Sequence, residues 1–232
     1  MHTNAATTEH NPALRHHFAD MTQQKNSASL GMWLFLVTEI MFFGGMFCAY
    51  LIYRLAYFND FGAASTSLSL KLGTINTIVL LLSSLTVVLA VNAAQRGKQK
   101  LLFFYLIATI VLGCTFLGIK AVEYHDKFVE HHVPGPDFHF VAEHPEGHSE
   151  QAPVNQQHAQ MFFSLYFVMT GMHAIHMIIG VGLFSGLAYQ AWKGRYDRNY
   201  NTPVENAGLY WHFVDVVWIY LFPLLYLISR HH

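Results

Sequence analysis

The sequence is poor in charge and in cysteine. Charged residues make up 12% of the 232 residues and the formal net charge is −1, which excludes the basic surface expected of a nucleic-acid-binding protein. The two cysteines have no paired spacing that would predict a disulfide framework or a thiolate metal site. Cys48 and Cys114 both fall inside apolar stretches, so the sequence predicts two buried thiols. It also has no glycine-rich phosphate loop and no internal repeat of fixed period.

Long apolar runs replace the missing charge. Hydrophobic residues make up 53% of the chain and aromatic residues 15%, a composition typical of membrane proteins. A helix needs about twenty mostly apolar residues to cross about 30 Å of hydrocarbon. Five segments meet this requirement, at roughly Leu30–Tyr53, Leu72–Asn92, Leu101–Val122, Met161–Tyr189 and Gly208–Ile228. The sequence therefore predicts an all-α integral membrane bundle of five transmembrane helices.

The chain divides into a polar N-terminal leader, residues 1–29, and a single membrane domain, residues 30–232. We expect no cleaved signal peptide, because the leader is long and no small-residue cleavage site follows a short apolar run. The bias of Lys and Arg toward cytoplasmic loops sets the orientation. With the N-terminus inside, eight basic residues lie inside: Arg15, Lys25, Arg96, Lys98, Lys100, Lys193, Arg195 and Arg198. Five lie outside: Arg54, Lys71, Lys120, Lys127 and Arg230. We therefore expect the N-terminus inside and the C-terminus outside.

The connection at about residues 123–160 is rich in histidine and acids, and we expect it on the outer side. From Phe128 to Gln160 it contains six histidines, His131, His132, His139, His144, His148 and His158. Four prolines among them predict an extended, solvated segment. Histidine-rich tracts can hold zinc or copper, but the irregular spacing favours a polar loop with incidental histidines.

Polar residues inside the predicted helices are more informative. A charged group at the bilayer centre costs roughly 2.5–3.5 kcal/mol on insertion scales, so we expect such groups to face the protein interior. At 1.5 Å per helical residue, Glu39, His176 and Asp215 fall at similar depths in three different helices. Ser83, Thr86 and His212 share this level, and His173 lies about one turn from His176. We call these seven the mid-membrane polar set, and we predict that they form one hydrogen-bonded cluster with Glu39 and His176 in contact.

Three roles are open to the mid-membrane polar set. His173 and His176 lie about one turn apart and could ligate a metal or a haem together with Glu39. Di-metal helix bundles, however, carry a Glu-x-x-His motif on each of two helices, and no such motif falls within the five spans. Carboxyl groups inside a membrane also form proton relays. A structural cluster is the favoured interpretation, and proton handling is the next.

A second charged group lies at the outer end of the third predicted helix, in GIKAVEYHDKF. Lys120 and Glu123 are three residues apart, and Glu123 and Lys127 are four apart, so both pairs share a helix face. Charges at this level often extend to the interface and anchor a helix end. We favour this anchoring role over a specific subunit contact.

Several motifs resemble one known family. They are TEIMFF around Glu39, LLSSLTVV on the second helix, GIKAVEYHDKF on the third, TGMHAIH on the fourth and WHFVDVVW on the fifth. Together they resemble subunit III of the haem-copper oxidases, the family of cytochrome c oxidase, in its five-helix bacterial form. By similarity, Glu39 corresponds to the family's buried glutamate, and His173 and His176 to its paired histidines. His212 and Asp215 correspond to those of the WHFVD motif.

The resemblance implies a non-redox subunit of a proton-pumping terminal respiratory oxidase, which reduces oxygen to water with electrons from cytochrome c. It implies that this chain has no catalytic residue and no cofactor of its own, because subunits I and II hold the haems and copper. The implied partners are subunit I as the main contact, subunit II, other small subunits and bound phospholipid. The implied location is the bacterial cytoplasmic membrane, and the implied role is support of assembly, sustained turnover and proton uptake.

Other functions remain open at the level of sequence. Quinol oxidases and nitric oxide reductases have related subunits, and the electron donor is set by subunits I and II. A stand-alone transporter would use the acids inside the membrane to bind protons or ions. Broken helices or an inverted repeat would favour a transporter, and the sequence shows neither.

Overall fold

The computed structural model of the chain describes residues 16–135, 138–140, 154–196 and 200–227. These residues form α1 Met21–Ala56, α2 Phe58–Thr66, α3 Leu70–Gln95, α4 Gln99–Val129, α5 Gln156–Trp192 and α6 Thr202–Phe222. A five-residue π-helical turn, Pro223–Leu227, follows α6. Five helices, α1, α3, α4, α5 and α6 with its π-helical turn, are long and apolar enough to cross a membrane. The predicted all-α bundle of five spanning helices is confirmed.

Side-chain capping sets the beginning of α1. Asp20 Oδ1 accepts a hydrogen bond from the backbone N–H of Gln23 at 2.6 Å, and Gln23 Oε1 accepts one from the N–H of Ala19 at 2.8 Å. Two donors that a helix start leaves unpaired are thereby satisfied. Because of this cap, α1 begins at Met21, inside the segment predicted as a polar leader. Hydropathy marks where a helix crosses the membrane and carries no information on where it is capped.

Two further elements differ from the five simple spans. The short helix α2 connects α1 to α3 and buries Phe61 and Ala64, although nine residues cannot cross a membrane. At the other end of the chain, Pro223 lacks a backbone N–H and cannot continue the regular hydrogen-bond pattern. The α-helical pattern therefore ends at Phe222 and the π-helical turn begins at Pro223.

The bundle is organised around α6, which packs against α1, α3 and α5, while α4 packs against α3 and α5. Trp211 of α6 is fully buried. A Cβ atom added to Gly113 of α4 or to Gly180 of α5 would lie 2.8 or 2.9 Å from its indole ring. The two glycines therefore let α4 and α5 close around the ring, which is the usual route to tight helix association in lipid.

The two ends of the bundle carry different connections. The turn end has the tight α3–α4 turn at Arg96–Lys98 and the connection from α5 to α6, and the loop end has α2, the end of α4 and the start of α5. The basic residues of the sequence place the turn end inside the cell and the loop end outside. This orientation stays a prediction.

The outward faces of the spanning helices are strongly apolar. Large side chains such as Leu30, Met41 and Leu55 are more than two-thirds exposed on α1. Cys48 and Cys114 are also exposed, as free thiols, so the prediction of two buried thiols is wrong. Lipid tails are as apolar as a protein core. For that reason an apolar sequence cannot show which side of a membrane helix faces the bundle.

Candidate functional site: polar residues inside the bundle

Glu39 of α1 and His176 of α5 are in direct contact. His176 Nε2 lies 3.1 Å from Glu39 Oε2, and His176 Nδ1 lies 2.8 Å from the backbone oxygen of Met172. A carbonyl oxygen only accepts, so Nδ1 carries a proton and donates it to Met172. One further proton then lies between Nε2 and the carboxyl group of Glu39. The pair is therefore a proton-sharing hydrogen bond that joins α1 to α5.

Contacts across the helices show how deep the mid-membrane polar set lies. His176 lies at the level of Tyr210, whose hydroxyl donates to its backbone oxygen at 2.9 Å, and the His173 ring lies 5.3 Å from that of Trp218. Measured along α6, the mid-membrane polar set therefore lies between the levels of residues 210 and 218. These two levels are about 12 Å apart along the helix axis. The seven residues of the set do not form the single hydrogen-bonded cluster that the sequence predicted. Side-chain direction around each helix axis, which depth does not fix, separates them.

His212 is bonded to α3 rather than to another titratable residue. Its Nδ1 lies 2.9 Å from the hydroxyl oxygen of Ser84. Asp215, one turn further along α6, is 4% exposed, and neither carboxylate oxygen has a hydrogen-bond partner among the described residues. The Ser84 hydroxyl is the polar group that interacts with this carboxyl from the neighbouring helix, outside strict hydrogen-bond geometry. His212 and Asp215, three residues apart on α6, therefore share the helix face that meets Ser84.

Ser83 and Thr86 make separate contacts. The indole N–H of Trp211 donates to the Ser83 hydroxyl at 2.8 Å. The hydroxyl oxygens of Thr86 and Thr109 lie 2.8 Å apart and connect α3 to α4. Hydrogen bonds of this kind between membrane helices contribute about 0.6 kcal/mol on average. These two residues hold helices together, and neither contacts the Glu39–His176 pair.

His173 is enclosed by aromatic rings. It is 1% exposed, with the Phe116 ring 5.5 Å and the Trp218 ring 5.3 Å from its own. Within the described part of the chain neither of its ring nitrogens has a hydrogen-bond partner, and the same holds for the side-chain amide of Asn76 on α3. The spacing of His173 and His176 correctly places both in α5, but only His176 contacts an acid.

The outer charged group of the sequence analysis is buried. Lys120 Nζ lies 2.8 Å from Glu123 Oε2, and the two residues are 3% and 2% exposed. The hydroxyls of Tyr166 and Tyr226 both donate to Glu123 Oε1, and Lys120 Nζ lies 3.0 Å from the Tyr226 hydroxyl. We call these four residues the loop-end charge cluster. The prediction that these charges extend to the interface is wrong, because α5 and the turn after α6 cover them.

Lys127 has different partners from those predicted. It donates to the backbone oxygen of Ser67 at 2.9 Å and is paired with Glu130. The Glu123–Lys127 pair expected from their four-residue spacing is not made, because Glu123 points toward Lys120 and the two tyrosines. Lys127 instead fastens the end of α4 to the α2–α3 turn.

The histidines of the outer connection are partly described. His158 Nδ1 lies 2.6 Å from Asp60 Oδ2, and its ring stacks on Tyr57 at 3.7 Å. The His132 ring stacks on Phe163 at 4.9 Å. In the described ranges no group of three or more His, Cys, Asp or Glu residues could hold a metal ion. His144 and His148 lie outside those ranges.

The connection between α5 and α6 contains one strongly perturbed tyrosine. Burial and, to a smaller extent, neighbouring Tyr200 raise the pKa of Tyr196 to about 12, although Arg195 opposes the shift. The Tyr196 hydroxyl donates to Gln190 at 3.1 Å, and its backbone oxygen accepts from Gln99 of α4. This connection is therefore packed onto the turn end.

The comparison with known proteins decides the family. Residues 11–142 and 151–230 match the family described as cytochrome c oxidase subunit III. The chain belongs to the cytochrome c oxidase subunit III family. It is 31% identical over 202 residues to cytochrome c oxidase subunit 3 of Thermostichus vulcanus, covering 87% of each chain. It is 30% identical over 225 residues to cytochrome c oxidase subunit 3 of Alkalihalophilus pseudofirmus, covering 97% of this chain and 98% of the relative.

A relative with a different name is equally similar. The probable quinol oxidase subunit 3 of Staphylococcus haemolyticus is 31% identical over 212 residues, which is 90% of this chain and 92% of the relative. The chain is thus a subunit III of the haem-copper oxidase family and a multi-pass membrane protein. Membership of this family associates it with other oxidase subunits in a terminal oxidase complex.

Sequence reasoning missed several residues of this subunit III that the structure brings into the sites. Ser84, and not the neighbouring Ser83, binds His212. Tyr166 and Tyr226 complete the loop-end charge cluster from distant parts of the chain. Asn76 could have been found, because it lies seven residues before Ser83, two helical turns away on the same face of α3. The two tyrosines gave no such signal.

Proposed function

We propose that this chain is the non-redox subunit III of a proton-pumping terminal oxidase in the bacterial cytoplasmic membrane, which reduces oxygen to water with electrons from cytochrome c. It packs on subunit I, which with subunit II holds the haems and copper, and it supports assembly, sustained turnover and proton uptake. Family membership and two relatives named cytochrome c oxidase subunit 3 support this proposal. The observation that carries the supporting role is the Glu39–His176 contact.

The contact matters because α1 is the least enclosed spanning helix. In the most apolar stretch of α1, 17% of the residues are buried, whereas in that of the last spanning helix 50% are buried. At the loop end α1 is held by the Tyr50 hydroxyl, which donates to the backbone oxygen of Leu224 at 3.0 Å and accepts from Arg54, one turn further along α1, at 3.1 Å. Deeper in the membrane, Glu39 and His176 provide the polar connection. Loss of this connection would loosen α1 without touching a redox centre.

The apolar outer surface supports the proposed partners. The outward faces of α1, α3 and α5 expose large side chains, including Leu34, Leu82 and Ile178. Such a surface has to be covered by acyl chains or by other membrane subunits. Subunit I, subunit II and bound phospholipid are the partners that fit an oxidase subunit of this kind.

Replacement of Glu39 by Ala tests the proposal. The purified Glu39→Ala oxidase should keep its haem spectrum and its initial rate but should complete fewer turnovers before activity is lost. Thr38→Ala is the matched control, because the Thr38 hydroxyl bonds only to Phe35 of its own helix in the described contacts. Glu39→Gln retains a hydrogen-bonding side chain and should recover part of the endurance. Wild-type endurance in Glu39→Ala would refute a supporting role for the contact.

A quinol oxidase is the second candidate, because a probable quinol oxidase subunit 3 is as similar to this chain as the cytochrome c oxidase relatives are. The donor is decided by subunits that this chain accompanies. Purification of the complex from its native membrane, followed by assays with reduced cytochrome c and with a quinol, separates the two. Oxygen reduction by quinol alone would assign the chain to a quinol oxidase.

A further inference from the structure

A groove of about 360 Å³ runs between α3 and α6 from the turn end toward the middle of the bundle. Its mouth is polar, because Gln95 donates to Glu205 at 2.9 Å. Val88, Val91 and Leu209 form part of its walls, and His212 lines its inner part. From Glu205 to His212 the groove extends about 10 Å along α6. At about 30 Å³ per water, its volume is enough for on the order of ten water molecules.

The groove leads to a buried carboxyl group. His212 lines the groove and is bonded to Ser84 through Nδ1, so Nε2 is the ring nitrogen through which it would bind water in the groove. Asp215 lies one turn further along α6, is buried and has no hydrogen-bond partner in the described structure. A buried polar group without a partner needs an explanation, since leaving it unpaired is costly. Exchange of a proton between the Asp215 carboxyl group and water in the groove would account for the buried position of this residue.

We propose that the groove, His212 and Ser84 form a proton-access path from the turn end of the bundle to Asp215. This inference deepens the proton-uptake part of the proposed function and rests on it. His212 takes a proton from water at Nε2 and releases the proton on Nδ1 to the Ser84 oxygen, and Ser84 passes its own proton to the Asp215 carboxylate. One proton leaves the groove and one is gained by Asp215. Rotation of the Ser84 hydroxyl and return of the His212 ring proton from Nε2 to Nδ1 restore the starting arrangement.

The other ionisable groups around α6 have other partners or surroundings. Between Lys71 and Arg96, α3 has no acidic, basic or histidine side chain. On α1 and α5, Glu39 is bonded to His176, and His173 is enclosed by aromatic rings. On α4, Lys120 is paired with Glu123. At the mouth, Lys25 lies 3.6 Å from Glu205. The Asp215 carboxyl therefore communicates with solvent through His212 and Ser84.

Infrared spectroscopy of the whole oxidase complex in lipid nanodiscs tests the path. The carbonyl stretch of a protonated carboxyl group shifts when water is replaced by D2O, and the rate of this shift measures proton exchange. We expect one such band in the wild type that is absent in Asp215→Asn. Complexes are compared only when their haem spectra and subunit ratios match the wild type. Should Asp215→Asn fail to assemble, a frequency shift of the band in Ser84→Ala provides the assignment.

Two pairs of variants test the route. Ser84→Ala should slow exchange by about a hundredfold, the range that one positioned proton-transfer group contributes, whereas Ser84→Thr keeps the hydroxyl and should exchange near the wild-type rate. Val88→Trp fills the groove and should slow exchange by at least as much. Leu85→Trp, on the same helix but outside the groove, should leave it unchanged.

Two results would overturn the inference. One is a spectrum in which no band depends on Asp215, because the carboxyl would then hold no exchangeable proton. The other is wild-type exchange in Val88→Trp, which would mean that protons do not use the groove. Both leave the Glu39→Ala endurance experiment untouched, so failure of the path and failure of the proposed function are distinguishable.

Discussion

The loop-end charge cluster and the mid-membrane polar set are both enclosed by the bundle, but they differ in how their polar atoms are paired. At the loop end, Lys120 and Glu123 bond to each other and to two tyrosine hydroxyls, and the Trp218 ring lies 4.9 Å from the ammonium group. In the mid-membrane set, His173 and Asp215 have no hydrogen-bond partner among the described residues. The first region is completely satisfied and the second is not.

This difference separates a structural role from a functional one. A satisfied network of charges in a low-dielectric interior fixes the helices that contribute to it, because every alternative arrangement leaves a buried charge unpaired. Unpaired groups such as Asp215 add no such constraint. They are tolerated where a group has to exchange protons or partners, and buried ionisable residues of membrane proteins commonly mark such sites. Substitutions in the two regions should therefore differ in how much they change the free energy of unfolding.

Glu123→Ala should have the largest effect on stability. It leaves the Lys120 ammonium buried without its carboxylate, and breaking a buried pair in this way costs about 3–5 kcal/mol. The free energy of unfolding of the purified subunit in mild detergent measures the loss. The double variant Lys120→Met/Glu123→Leu removes both charges and should recover much of it. If Glu123→Ala were as stable as the wild type, the structural reading of the loop-end charge cluster would be wrong.

Gly113→Leu should have the next largest effect, through packing rather than charge. A Cβ atom at Gly113 already lies 2.8 Å from the Trp211 ring, and overpacking of a tight core costs about 1–3 kcal/mol. Gly118→Leu is the matched control on the same helix, since no atom lies within 4 Å of its added Cβ. Equal unfolding free energies for the two variants would show that the middle of the bundle rearranges to accommodate the larger side chain more easily than its packing suggests.

The interaction energy between Glu39 and His176 should be smaller than the losses expected for Glu123→Ala and Gly113→Leu. A double-mutant cycle with Glu39→Ala and His176→Ala should give an interaction energy of about 0.6–1.7 kcal/mol, the range for hydrogen bonds between membrane helices. The readout is the unfolding free energy of the two single variants and of the double variant. Strict additivity would mean that the 3.1 Å contact contributes nothing to stability.

Asp215→Asn should have the smallest effect on stability. No hydrogen bond of the described structure is lost in this substitution, so the unfolding free energy should stay within about 1 kcal/mol of the wild type. The same variant should abolish the exchangeable carboxyl band. A loss as large as that of Glu123→Ala would place Asp215 with the structural residues and remove the contrast between the two regions.

Depth along a helix was predictable, and direction around it was less so. The sequence predicted the five spans and placed Glu39 and His176 at one level, and the two residues are in contact. The same reasoning joined His212 and Asp215 to this pair, but they face α3. Depth follows from a fixed rise per residue. Facing direction depends on which helices are neighbours, and apolar residues on both sides of a membrane helix conceal that information.

Hydropathy and residue identity act locally along the chain, so they were enough to predict the membrane class, the five spans, the family motifs and the ionisable groups inside the bilayer. The fold shows that Lys120 and Glu123 are buried, that Cys48 and Cys114 face outward, and that Ser84 interacts with both His212 and Asp215. Each of these depends on contacts between segments far apart in the sequence. In lipid, where the core and the surroundings are equally apolar, only the packed bundle distinguishes inside from outside.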